Sequence, residues 1–148
     1  MIRVQEQPFD ASAELKAFQA ASASGACVLF IGTVRDRSDG KRVDAMTLEL
    51  YPGMTEKALA DIETEARGRW PLDDVLVIHR HGRLLAGEDI VLVLARSAHR
   101  EAAFEAARFL MDWLKTKAPF WKLEAGPDGE RWVEARDSDE EAAGRWKR

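Results

Sequence analysis

The sequence predicts an α+β fold in which a mixed or antiparallel sheet is covered by packed helices. Three observations carry that expectation. Short β-branched runs and amphipathic stretches interleave without a strict βα repeat. One late pair of runs flanks the turn-forming Gly126-Pro127-Asp128-Gly129 and reads as a hairpin. No internal repeat, low-complexity stretch or long Pro/Gly/Ser-rich linker divides the 148 residues, so a single domain spanning 1–148 is expected.

Ile2–Gln5 reads as a short strand. It leads through Pro8-Phe9 to a helix from about Asp10, a suitable N-cap, to Ala21. Gly25–Val34 is a continuous apolar run, expected as a buried strand. Arg35–Lys41 is a polar loop with strong turn chemistry around Asp39-Gly40. Val43–Tyr51 alternates Met46, Leu48 and Leu50 against Thr47 and Glu49, the pattern of a half-buried strand. After Pro52-Gly53 a helix runs to Trp70 with Leu59, Ile62, Ala66 and Trp70 on one face, and Pro71 stops it. Strands at about Val75–Arg80 and Ile90–Ala95 are separated by a turn at Leu84–Glu88. Ser97 is then expected to cap a long helix through Lys117, which Pro119 ends. The hairpin Phe120–Ala125 and Arg131–Glu134 follows, and Ser138-Asp139-Glu140-Glu141 has the spacing of a capping box opening a final helix.

The net charge of −4 and pI of about 5.5 argue against a general nucleic-acid binder, whose footprint is basic. They leave room for a local basic pocket. No apolar run reaches bilayer length, and the N-terminal MIRVQEQPFD lacks the order of a signal peptide, so a cytoplasmic protein without a membrane role is expected. The lone Cys27 lies in an apolar stretch with no His or Lys adjacent in sequence, which suits a small packed side chain better than a nucleophile.

Four segments could carry chemistry. In Ser97-Ala98-His99-Arg100, two cations fall at a helix start, where free N–H groups and the dipole would help them bind an anion. A solvated surface pair fits the pattern equally well. In Lys115-Thr116-Lys117-Ala118-Pro119-Phe120-Trp121-Lys122, the dipole already explains lysines in a last helical turn. Lys122 follows two aromatics in a strand and points either to solvent or into a pocket. Gly32-Thr33-Val34-Arg35 ends a buried strand on a charge, a weak signal by itself. His79-Arg80-His81 places two histidines on one strand face, but no further ligand stands at metal spacing, so zinc is rejected. There is no glycine-rich phosphate loop and no serine nucleophile elbow. From the residues alone, the reading stops at an α+β domain with a possible anion site made of separated cations.

Taken together, several stretches resemble one family, the large catalytic subunits of molybdopterin synthase (MoaE type). They are Phe30-Ile31-Gly32-Thr33-Val34-Arg35, Leu48-Glu49-Leu50-Tyr51-Pro52-Gly53-Met54, Arg69-Trp70-Pro71, Val77-Ile78-His79-Arg80, Ser97–Arg100, Leu114–Lys122 and Arg131-Trp132-Val133-Glu134-Ala135. The resemblance runs from about Gln7 to Trp146, and Ala-Pro-Phe-Trp-Lys after Ser-Ala-His-Arg is its most specific part. His81 departs from it, where the family more often has an apolar residue.

The resemblance implies an α/β-hammerhead-type fold and a sulfurtransferase of molybdenum cofactor biosynthesis. Such an enzyme converts cyclic pyranopterin monophosphate into molybdopterin by installing two sulfurs as a dithiolene. It implies a small ubiquitin-like sulfur-carrier partner (MoaD type) with a C-terminal Gly-Gly thiocarboxylate, and a heterotetramer built on a central dimer of large subunits. No metal and no bound organic cofactor are expected. Carried over position by position, Lys115 and Lys122 would be catalytic. Thr33, Val34, Arg35, His99, Arg100, Lys115, Lys122, Leu123 and Glu124 would surround the substrate. A lysine among other cations is expected to have a lowered pKa and so to serve as an acid/base near neutrality. Two other readings compete: a non-catalytic module that binds a ubiquitin-like partner, and a phosphate- or RNA-binding domain, which the acidic pI disfavours.

Overall fold

In the computed structural model, residues 1–118, 120–133 and 137–146 are described. Their order is β1 (Ile2–Gln5), α1 (Ala11–Ala20), β2 (Ala26–Thr33), β3 (Arg37–Ser38), β4 (Lys41–Arg42), β5 (Ala45–Leu50) and α2 (Met54–Arg69). There follow β6 (Leu72–Arg80), β7 (Gly82–Leu85), β8 (Asp89–Ser97), α3 (Arg100–Thr116), β9 (Phe120–Gly126), β10 (Gly129–Val133) and α4 (Asp137–Gly144).

The apolar runs of β6 and β8 place alternate residues on opposite faces of a four-stranded sheet. Val75, Val77, Val91, Val93 and Ala95 face one side, where they pack against Leu59, Ile62 and Ala66 of α2 and Ala106, Phe109 and Leu110 of α3. Leu76, Ile78, Leu92 and Leu94 face the other side, under Phe18 of α1. The strand order is β1-β6-β8-β2. Only β1 and β6 are parallel; β6–β8 and β8–β2 are antiparallel, so the sheet is mixed as predicted. A second, wholly antiparallel sheet has the order β10-β9-β5-β7 and closes a smaller core around Val34, Leu48 and Leu84. Among the described residues no helix is long and apolar enough to cross a membrane.

Local chemistry sets most boundaries. Asp10 caps α1 by accepting from the Ala13 N–H at 3.1 Å. At the start of α2 the Glu56 carboxylate reaches back to the Gly53 N–H at 2.8 Å. Trp70 leaves the helix in an extended conformation, as the following proline requires. It joins Phe109 and Trp146 in an edge-to-face cluster that fastens the chain's end to α3, where the Trp146 indole donates to Asp112 at 2.7 Å.

Three expectations change. Ser97 is not a helix cap: it is the last residue of β8, and its hydroxyl donates to the Pro71 carbonyl at 2.9 Å. His99 occupies the N-cap position and the helix starts at Arg100. The predicted turn at Leu84–Glu88 begins too early, because Gly82–Leu85 pairs with β5 as a strand. The polar loop after Arg35 contains a small hairpin, β3–β4, whose turn residues Asp39 and Gly40 both have positive φ, +52° and +76°. That is the geometry of a two-residue turn whose twist matches its strands. The side chains of the predicted Ser138 capping box and the strand end at Glu134 lie outside the described residues.

Candidate active site

Where the two sheets meet the end of α3, a pocket of about 230 Å³ opens. Each wall follows from periodicity. On α3, Met111, Leu114 and Lys115 stand at the spacing of one helix face, so the residues that pack on the sheet give way to a lysine in the last turn. The helix dipole favours a cation there. On β9, Phe120, Lys122 and Glu124 share the inward face, while Trp121, 50% exposed, and Leu123 share the outward one. This decides the direction left open at Lys122: it lines the pocket.

The same two-residue rule sorts the end of β2. Thr33 and Arg35 line the pocket, whereas Val34 between them is 2% exposed and belongs to the smaller core. Val34 is held by its own backbone, donating to Glu88 O at 2.9 Å and accepting from Gly87 at 2.8 Å. Of the sequence-predicted residues, the structure therefore brings Thr33, Arg35, Lys115, Lys122 and Glu124 to one cavity. Val34 and Leu123 are their chain neighbours but do not line it.

His99 and Arg100 are placed elsewhere. They are exposed at the opposite end of α3. Fifteen residues separate Arg100 from Lys115 (115 − 100), about 22 Å along the helix axis. Neither lines the pocket.

Glu124, though buried, is not an unbalanced charge: Arg131 donates to it at 3.2 Å and also to the Ser38 carbonyl at 2.9 Å. With that carboxylate paired, Arg35, Lys115 and Lys122 make the lining electropositive among the described residues, suited to an anion partly removed from water. Phe30, Met111 and Phe120 supply apolar walls.

Sequence reasoning overlooked His79 as a pocket residue, having considered it only for metal. It continues the Val75–Val77 row on the α3 side of β6 and lies opposite Val91. Its ring stacks on Phe120, centroids 4.1 Å apart and planes 18° from parallel. Burial, reinforced by the neighbouring Lys122, Lys115 and His81, pushes its pKa down to about 4 against the opposing Arg80 carbonyl. The imidazole is therefore neutral at physiological pH. The period-two row was the signal that could have found it. His81, the departure from the family pattern, sits beside Glu6 at 3.8 Å, outside the pocket lining.

The likeness seen in the sequence extends to the whole fold. The sequence pattern of the MoaE protein family matches residues 4–117. The molybdopterin synthase catalytic subunit of Escherichia coli (strain K12) is 57% identical over 98% of this chain and 97% of its own length. The molybdopterin biosynthesis MoaE protein from Burkholderia ambifaria MC40-6 superposes with a TM-score of 0.83 at 52% identity, covering 99% of this chain and 97% of that one. Molybdopterin synthase from Staphylococcus aureus superposes at 0.79 with 29% identity, covering 89% and 96%. With a match at both levels over nearly the full length, the chain belongs to the MoaE protein family.

Proposed function

We propose that this chain is the catalytic subunit of a cytoplasmic molybdopterin synthase and that the pocket at the end of α3 is its sulfur-transfer site. The observation that carries the reading is the convergence of Arg35, Lys115 and Lys122 from three separate elements on one cavity with apolar walls. The substrate is cyclic pyranopterin monophosphate, and the sulfur arrives as the C-terminal thiocarboxylate of a small ubiquitin-like subunit. Both reactants are anionic, so bringing them together requires cations. Arg35 offers a planar fork for phosphate oxygens. Lys115 moves the proton at the reacting carbon, and Lys122 stabilises the charge that develops as the cyclic phosphate opens. Thr33 and Glu124 complete the polar lining.

His99 and Arg100 fit this reading if they come from a second copy of the chain. Strand β2 is an edge of the mixed sheet, and its middle residues, Leu29 and Phe30, are 36% and 39% exposed. Such an edge is a template for another strand. Two copies paired antiparallel about Leu29–Phe30 set Ala26 of one opposite Thr33 of the other. The start of β2 is tied to the start of α3: a Cβ on Gly25 would lie 2.2 Å from the Ala98 carbonyl oxygen, so only glycine permits that approach. Ala98 precedes His99. The two-fold pairing thus carries His99 and Arg100 of the second copy toward the pocket mouth at Thr33 and Arg35, as a central dimer of a heterotetramer requires.

The test is to mix the chain with a thiocarboxylated small subunit and the cyclic precursor and to assay the dithiolene. Product is expected. Binding of the small subunit without product would favour a non-catalytic module.

A further inference from the structure

Among the described residues, β3 and β4 pair as strands only with each other. Their hairpin nevertheless supplies part of the pocket wall. Ser38 of β3 is buried and lines the cavity, and Arg35, which the reading above places at the phosphate, leads into the same hairpin. A two-stranded ribbon is marginal by itself, so the contacts that seat it set where that wall stands.

Arg131 ties the hairpin down. It stands on β10 as the direct cross-strand partner of Glu124 on β9, so the two side chains share a face. Its Nη2 donates to the buried Glu124 carboxylate at 3.2 Å and to the Ser38 carbonyl at 2.9 Å. The same nitrogen lies 3.6 Å from the carboxylate of Asp39 in the hairpin turn. One guanidinium therefore joins the β9 wall of the pocket to the β3 wall. Beyond it the returning chain lies directly on the end of β9. A Cβ on Gly126 would stand 2.2 Å from the Arg42 carbonyl oxygen, and the Asp44 N–H donates to the Ala125 carbonyl at 2.8 Å. The Val43 N–H, bonded to the Asp36 carbonyl at 2.7 Å, closes the segment that starts beside Arg35.

We propose that Arg131 is a positioning residue of the sulfur-transfer site: its bridge from Glu124 to the Ser38 carbonyl fixes the β3–β4 hairpin against β9 and so sets where Arg35 meets the anionic substrate. The inference rests on the catalytic reading above. Arg131 also balances Glu124, whose carboxylate, left bare, would repel an anion in the same cavity. Both effects act on binding of the substrate's phosphate, which is present before and during the reaction. Loss of Arg131 therefore falls on KM rather than on kcat.

On the assembled enzyme, Arg131→Ala is expected to raise KM for the cyclic pterin by about 10- to 100-fold, the scale of lost charge-assisted hydrogen bonds. Its kcat should change far less. Arg131→Lys keeps a donor cation opposite Glu124 and should recover most of the loss. Gly126→Ala changes no charge but forces the hairpin away from β9, and should raise KM in the same direction. Amide hydrogen exchange in Arg131→Ala should quicken at Val43 and Asp44 while β6 and β8 stay protected. A folded Arg131→Ala variant with wild-type KM would overturn the proposal, as would a loss confined to kcat. If that variant does not fold, Gly126→Ala decides in its place, and wild-type KM with unchanged exchange at Val43 would overturn it. Absence of turnover in the wild-type enzyme would count instead against the catalytic reading, and the exchange comparison would still show whether Arg131 seats the hairpin.

Discussion

The two ends of helix α3 carry similar side chains in opposite settings. At the C-terminal end Lys115 stands beside Met111 and Leu114 at the mouth of a cavity shared with β2, β6 and β9. At the N-terminal end His99 and Arg100 are exposed, and His99 sits at a cap position without making a side-chain cap. The dipole favours a cation at the first end and opposes one at the second. Lys115 is therefore accounted for by its own chain, while His99 and Arg100 acquire a stabilising role only when something anionic is brought to them. On the proposed dimer, the difference means that the two ends of α3 would meet in one site only across two chains. An exposed strand edge can supply the symmetry that unites them.

Breaking the self-sufficient end should have the largest effect. Lys115→Ala is expected to lower dithiolene formation by about 10²–10⁴-fold, the usual contribution of a positioned acid/base. Thermal unfolding and small-subunit binding should stay intact. Near-normal turnover by that variant would remove Lys115 from the chemistry.

Next comes a stability effect from the pocket floor. The folded pKa of His79, about 4, lies below the ordinary 6.5. The unfolded chain binds the proton first as pH falls, so the stabilisation is complete above about 6.5 and is lost between 6.5 and 4. A shift of this size corresponds to roughly 3 kcal/mol. Urea unfolding of wild type and His79→Leu across that range should show a steeper acid loss for wild type. Parallel curves would contradict it.

Smaller effects belong to the exposed end. Arg100→Ala should reduce turnover by about 10- to 100-fold, the loss of a charge-assisted hydrogen bond, without altering monomer stability. His99→Ala should cost less, about 0.5–1.5 kcal/mol of transition-state stabilisation. A pair of variants that bind and turn over substrate as wild type does would confine the site to one chain.

Much of this arrangement was legible in the sequence because periodicity is a local property. The alternation in β9 puts Lys122 and Glu124 on one face and Leu123 on the other, although which face looks inward depends on the pairing with β5. The start of α3 was misplaced because a serine hydroxyl gives the same local signal whether it serves a helix N–H or, as Ser97 does, a carbonyl 26 residues away. Strand β7 was shortened into a turn because only pairing with β5 holds Gly82–Leu85 extended. His79 escaped notice because its neighbour in the pocket, Phe120, is distant in sequence. The separation of His99 and Arg100 from the lysines follows from helix length, but the family resemblance carries residue identities without saying which copy supplies them.

The central claim is that the two ends of α3 serve one pocket across a pair of chains, and complementation tests it most directly. Lys115→Ala and Arg100→Ala chains are unfolded together, refolded, joined with the thiocarboxylated small subunit and assayed. In a random mixture half the dimers are mixed, and each has one pocket with both residues intact, so about a quarter of wild-type activity should return. Activity no greater than the average of the two variants assayed alone would contradict the account.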